Sequence, residues 1–291
     1  MRWKKGERSK NLEDRRFQTG RGRAVRGTGL GLGGLAIVLL LSLLTGQDFF
    51  SLMGDGGGAL MRQRPQPLDP SASGATTAQE EELVDFMSSV LDDIQGEWQA
   101  LLPQVGADYR DTQLVLFRDA IQSACGFAQS ATGPFYCPGD RKVYVDLSFY
   151  DDLRIRFGAP GDFAQAYVLA HEIGHHIQTL LGIEGQVREL QLSRPRMQNQ
   201  YSVAMELQAD CLAGVWGYTA QRRGLLEPGD IEEGLTAASA IGDDRIQRET
   251  TGRVTPDSFT HGSSEQRMRW LRRGLETGDP DRCDTFAELG G

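Results

Sequence analysis

The 291-residue chain predicts an α+β domain with a small sheet, preceded by one transmembrane helix. Three observations predict it. An uncharged, apolar run lies behind a basic head; two short β-rich runs open the body; four long helical periodicities follow them. At 39% hydrophobic and 24% charged residues, the composition is that of a globular chain.

Residues 1–26 carry ten Lys and Arg against three Asp and Glu, so this head is +7 while the whole chain is −9. The body is therefore strongly acidic, which argues against nucleic acid as a partner, because phosphate binding needs clustered cations. From Gly27 to Gln47 there is no charged residue, and the core of that run is Leu35-Ala36-Ile37-Val38-Leu39-Leu40-Leu41-Ser42-Leu43-Leu44. The length suits one crossing of a lipid bilayer. No small-x-small cleavage site follows Leu44, so an uncleaved signal anchor at 27–47 is expected. The positive-inside rule then makes residues 1–26 a cytoplasmic segment and puts the body on the far side.

Residues 48–79 are rich in Gly, Pro and Ser and read as a linker, because they hold too little apolar surface to offset chain entropy. The folded domain is expected over 80–291. Leu83, Met87, Val90, Leu91, Ile94, Trp98 and Leu101 recur at helical spacing. Leu114–Phe117 and Lys142–Leu147 read as strands, the second alternating and β-branched after the turn signal Pro138-Gly139-Asp140. Helices are expected over 161–182, 199–222, 229–247 and 264–276.

The chemistry lies in the first of these four helices. Three of the four histidines in the chain fall within six consecutive positions, in His171-Glu172-Ile173-Gly174-His175-His176. Positions i and i+4 of a helix lie on one face, so His171 and His175 can aim nitrogen lone pairs at one cation. Glu172 sits about 100° around the helix, beside the metal line, where a base for water belongs. The flank of Val168, Leu169 and Ile173 argues for a buried helix rather than histidines on a solvated face. Catalytic zinc takes three protein ligands. Downstream, Glu206 and Asp210 form a second i, i+4 pair, interleaved with Met205, Ala209, Leu212 and Val215.

Glu206-Leu207-Gln208-Ala209-Asp210 after His-Glu-x-x-His resembles the gluzincin arrangement of zinc peptidases. The basic head, single span, Gly133-Pro134-Phe135-Tyr136-Cys137-Pro138, Val143-Tyr144-Val145-Asp146-Leu147 and Thr260-His261-Gly262-Ser263 extend the likeness. Together they resemble the bacterial neutral zinc metallopeptidase family along almost the whole chain. The resemblance implies a zincin-like domain with an active-site helix, and one Zn²⁺ per chain on His171, His175 and Glu206. It also implies that Asp210 orients His171 through its second ring nitrogen. The implied activity is peptide-bond hydrolysis by a zinc-activated water, with Glu172 as general base. The implied setting is the bacterial inner membrane, single-pass, with the catalytic domain periplasmic or otherwise extracytoplasmic. Related membrane gluzincins carry a His followed six residues later by Arg at the cleft. His261 is thus a candidate oxyanion donor, alongside the alternative of a helix-start histidine bonded locally. Arg267 is expected to be structural, pairing with an acidic residue near the site, and His176 structural as well.

Four cysteines in an exported domain favour disulfides and allow three connectivities. Cys125 with Cys137 across one short loop, and Cys211 with Cys283 in the tail, are the expected pairs. The strand Val143–Leu147 is expected to offer its edge to an extended peptide substrate. Two further readings stay open: a non-catalytic zinc-stabilised module binding a peptide or envelope partner, and a zinc amidase acting on cell-envelope substrates. A retained Glu172 disfavours the first, since a structural zinc site has no use for it.

Overall fold

A computed structural model describes residues 1–17 and 77–289, which form one compact unit. The expected span at 27–47 and nearly all of the expected linker at 48–79 lie outside the described residues. Among those described, no helix is long and apolar enough to cross a membrane. Residues 1–17 correct the expected division of the chain. They are not a segment apart from the body but pack on it, and the folded unit is not confined to 80–291.

The architecture is mixed α and β and rich in helix. Strand β1 (Leu12–Asp14) precedes helix α1 (Ala78–Leu101), which Thr77 caps by accepting the Glu80 N–H through its side chain. Next come β2 (Gln113–Phe117), the hairpin β3 (Ala120–Ser123) and β4 (Gly126–Gln129), then β5 (Phe135–Cys137) and β6 (Lys142–Asp146). The main sheet has the order β1-β2-β6-β5. Strands β1, β2 and β6 run parallel, and β5 runs antiparallel to β6. Strands β2 and β6 are covered on both faces, which is why Leu114–Phe117 is continuously apolar. Leu114, Leu116, Val143 and Val145 enter the main core, whereas Val115, Phe117 and Tyr144 pack with Cys137 on the opposite face. The sequence expectation that β6 offers a free edge is therefore corrected: β6 is interior, and the short β5 forms that border of the sheet.

Seven helices follow: α2 (Ser148–Ile155), α3 (Asp162–Leu180), α4 (Ile183–Ser193), α5 (Gln198–Arg222), α6 (Asp230–Ala240), α7 (Asp243–Thr251) and α8 (Ser264–Thr277). The expected helix 229–247 is two helices, broken at Gly242, because the Asp243 carboxylate turns out to hold the loop before α8. Helix α5 is the hub, packed along α3 and α8. Gly174 lets α3 approach α5 closely: a Cβ there would come within 3.0 Å of the Ala209 Cα and carbonyl oxygen. At the crossing of α5 and α8, a Cβ on Gly274 would overlap the Cys211 carbonyl oxygen, and one on Gly214 the Leu271 carbonyl oxygen. Backbone meets backbone there. Both expected disulfides, Cys125–Cys137 and Cys211–Cys283, are formed. The first ties the β3–β4 turn to edge strand β5; the second ties the carboxyl-terminal tail to α5.

Candidate metal centre

Three helices converge on one point. Helix α3 brings His171, Glu172 and His175, α5 brings Glu206 and Asp210, and α8 brings Arg267. The rings of His171 and His175 stand perpendicular, with centroids 4.8 Å apart. Each ring spends one nitrogen on the protein. His171 Nδ1 lies 2.8 Å from Asp210 Oδ1, and His175 Nδ1 lies 2.9 Å from Gln178 Oε1. Both oxygens accept, so both Nδ1 atoms carry hydrogen and both Nε2 atoms are left to face the centre.

Those two Nε2 atoms face Glu206, at 3.1 Å from Oε2 for His171 and 3.5 Å from Oε1 for His175. One donor atom from each of the three residues lies within 4.8 Å of the others. Two ring nitrogens turned on a carboxylate call for positive charge between them, which a proton or a metal ion can supply. Burial, the largest single effect, works against charge on His171, but Asp210 and Glu206 outweigh it and push the imidazole up to about 10. Burial likewise raises Glu206, yet the two histidines hold its carboxyl well below the usual range. Two imidazoles and one carboxylate, with the outer ring nitrogens already committed, are a donor set suited to Zn²⁺.

The support behind these groups is a buried relay. Asp210 is fully buried and receives Arg267 through Nε and Nη2, both at 2.9 Å, and the Tyr167 hydroxyl at 2.6 Å. Arg267 thus pairs with an acidic residue near the site, and that residue is Asp210. Gln178, which sequence reasoning missed, donates through Nε2 to the Met205 carbonyl at 2.7 Å and to Gln208 Oε1 at 3.0 Å. Gln208 in turn donates to the Cys283 carbonyl at 3.0 Å, so the tail held by a disulfide supports the second histidine. The signal for Gln178 was its position three residues beyond His175 on one helical face. His176 turns away from the centre. Its Nε2–H donates to the Arg110 carbonyl at 2.6 Å and its Nδ1 accepts from the Tyr136 hydroxyl at 3.0 Å, which ties α3 to β5.

The centre opens into a cleft of about 950 Å³ that is lined by Glu172 and His261 as well as by His171, His175 and Glu206. Pro134, Phe135 and Tyr136 of the β5 edge form one wall, and Phe149, Phe157 and Ile246 contribute further apolar surface. His261 stands in the loop before α8. Its Nδ1 is 3.4 Å from Asp243 Oδ1, and Asp243 Oδ2 accepts the N–H groups of Thr260, His261 and Gly262. A second cluster, Asp162, Asp230 and Glu233, lies at the start of α3, where the Met1 amino group is 2.6 Å from both Asp162 carboxylate oxygens.

Residues 1–286 match the family model described as "Putative neutral zinc metallopeptidase". The chain belongs to this family. Among relatives of this zinc metallopeptidase family, the chain is 47% identical over 295 residues to the uncharacterized protein YpfJ of Escherichia coli K12, covering 99% of each chain. It is 41% identical over 256 residues to the uncharacterized protein Rv2575 of Mycobacterium tuberculosis H37Rv, covering 81% of this chain and 85% of the relative. No solved structure matches the chain.

Proposed function

We propose that this chain is a zinc-dependent peptidase whose centre is held by His171, His175 and Glu206, with one zinc per chain. The observation that carries the reading is the convergence of two imidazole Nε2 atoms and one carboxylate in an open cleft, with Glu172 on the same helix beside them. A bound zinc would supply Lewis acidity toward a scissile carbonyl and a nearby water. Glu172 takes the proton of the attacking water and delivers it to the leaving amine. His261, steadied by Asp243, donates to the oxygen that gains charge as the carbonyl carbon becomes tetrahedral. Asp210 and Gln178 keep the two imidazoles in the tautomer that leaves Nε2 free. The border strand β5 offers backbone groups to an extended peptide, and the apolar walls exclude water from its side chains. Two disulfides support a body that works in an oxidising compartment, and residues 27–47 supply the contact with the bilayer.

The test separates the two acidic residues by their roles. Glu172→Gln should retain zinc while hydrolysis of a mixed-peptide substrate falls about 10²–10⁴-fold. Glu206→Gln should lose zinc affinity and activity together. Loss of metal from Glu172→Gln with retention in Glu206→Gln would reverse the ligand assignment. A zinc-loaded wild type that cleaves no peptide would favour the module that binds a partner in the same cleft.

A further inference from the structure

Residues 1–17 occupy a groove built for them. Strand β1 pairs in parallel with β2, Leu12 against Leu114, Glu13 against Val115 and Asp14 against Leu116, and so covers what would otherwise be a bare sheet edge. The other wall of the groove is the amino-terminal half of α1, and it is acidic. Arg8 reaches Asp85 and Glu81, each at 2.6 Å. Arg16, its side chain only 1% exposed, lies 2.7 Å from Asp14 and 2.8 Å from Glu81. The Ser9 N–H donates to Ser88 Oγ at 2.7 Å, and Trp3 meets the Phe86 ring edge-on at 5.6 Å. Across the sheet, Lys142 of β6 answers Glu13 at 3.0 Å. Strand register, charge and shape therefore agree along the segment. A buried arginine among carboxylates is costly to strand, and a bare edge of β2 beside Glu80, Glu81 and Asp85 would be costly to leave.

By the positive-inside rule, the cations of this head would hold it in the cytoplasm while the body crosses. One crossing by residues 27–47 would put about 30 Å of hydrocarbon between β1 and β2. Strands in one ladder lie about 4.8 Å apart. The two arrangements exclude each other.

We propose that residues 1–17 lie on the same side of the membrane as residues 77–289, docked along β2 and α1, so that no single crossing separates the two. Lys5, Arg8 and Arg16 of the head serve as partners for the acidic face of α1 rather than as an orientation signal. This holds whether or not the centre hydrolyses peptides.

The experiment is thiol labelling of the full chain in bacterial spheroplasts with a membrane-impermeant maleimide. Lys10→Cys reports on the head, where the lysine side chain is 84% exposed, and Leu192→Cys on the body, where the leucine is 76% exposed. Lys4→Cys is a second reporter on the head should Lys10→Cys disturb folding, and labelling is read against the unmodified chain. Head and body should label alike. If both label before lysis, the inference and the oxidising compartment stand together. If both label only after lysis, the inference stands and the compartment proposed above is wrong. A body reporter that labels in intact spheroplasts, with both head reporters protected until lysis, would overturn the inference.

Discussion

Replacing Asp210 by Asn keeps the shape of the side chain and removes one charge from a buried junction. Oδ1 accepts from His171, Tyr167 and Arg267, and Oδ2 accepts from Arg267 Nε at 2.9 Å. The amide oxygen can serve the crowded Oδ1 position, so the new NH₂ must face the Arg267 Nε–H, and a guanidinium only 3% exposed loses its counter-charge. Breaking a buried pair from one side costs about 3–5 kcal/mol. For a folded body of this size, about 2–4 °C per kcal/mol translates that into a Tm lower by roughly 6–20 °C. Loss of the group that fixes the His171 tautomer should also weaken zinc by about 10–100-fold. The assay is thermal unfolding of the detergent-solubilised chain with chelator and with zinc, together with zinc competition against a chromophoric chelator. Arg267→Met alone should be comparably destabilised. The double variant should recover part of the loss, because no lone buried charge remains. An unfolding free energy for Asp210→Asn within about 0.5 kcal/mol of the parent, together with unchanged zinc affinity, would refute the relay as the support of His171.

Gln178→Leu, which leaves His175 Nδ1 without its acceptor, should weaken zinc by about 10–100-fold while Glu172 and the cleft remain intact; equilibrium zinc titration reads this directly. Cys211→Ser/Cys283→Ser opens a loop of 72 residues and should cost about 4 kcal/mol, against about 3 kcal/mol for Cys125→Ser/Cys137→Ser, whose loop is 12 residues. Denaturant unfolding of the two variants gives the order, and an equal or reversed order would show that strain or residual structure dominates. The docking of residues 1–17 should depend on acid. Lys5 and then Arg8 hold Asp85 below the usual carboxylate range, while Lys142 and Arg15 do the same for Glu13 against a larger opposing effect of burial. Groups whose folded values are depressed stabilise above their unfolded values and lose that contribution as pH falls through the folded ones. Protection factors for hydrogen exchange at residues 12–14, taken relative to the intrinsic rate at each pH, should therefore stay high at neutral pH and fall below about pH 4; loss of protection on raising the pH would contradict it.

Much of the centre was legible because it is local. His171, Glu172 and His175 sit within five residues of one helix, and Glu206 and Asp210 within five of another, so spacing alone puts each set on a face. The helix α8 was legible for the same reason, as its apolar stripe recurs within a few turns, whereas α5 is buried on every side from Leu207 to Gly217. What the sequence hid depends on partners far along the chain. Strand β1 is three residues, Leu-Glu-Asp, with no apolar alternation of its own, and exists because β2 lies a hundred residues away to receive it. Strand β5 is as short, so the interior place of β6 could not be read from the alternation of β6 itself. The break at Gly242 followed from Asp243 bonding three backbone groups across eighteen residues of sequence, a contact that no helical window contains.

The bare crossing of α5 and α8 at Gly214 and Gly274 makes those helices a caliper for the chemistry. Asp210 lies one turn before Gly214, and Arg267 lies two turns before Gly274, so the gap between helix axes sets how far the guanidinium must reach. Any side chain at either glycine would wedge the axes apart and withdraw Arg267 from Asp210, and with it the support of His171. Positions that never see the cleft therefore govern it. In a screen of random variants they would score with the ligands, and a map of inactivating changes would trace the seam between two helices as sharply as the site they serve.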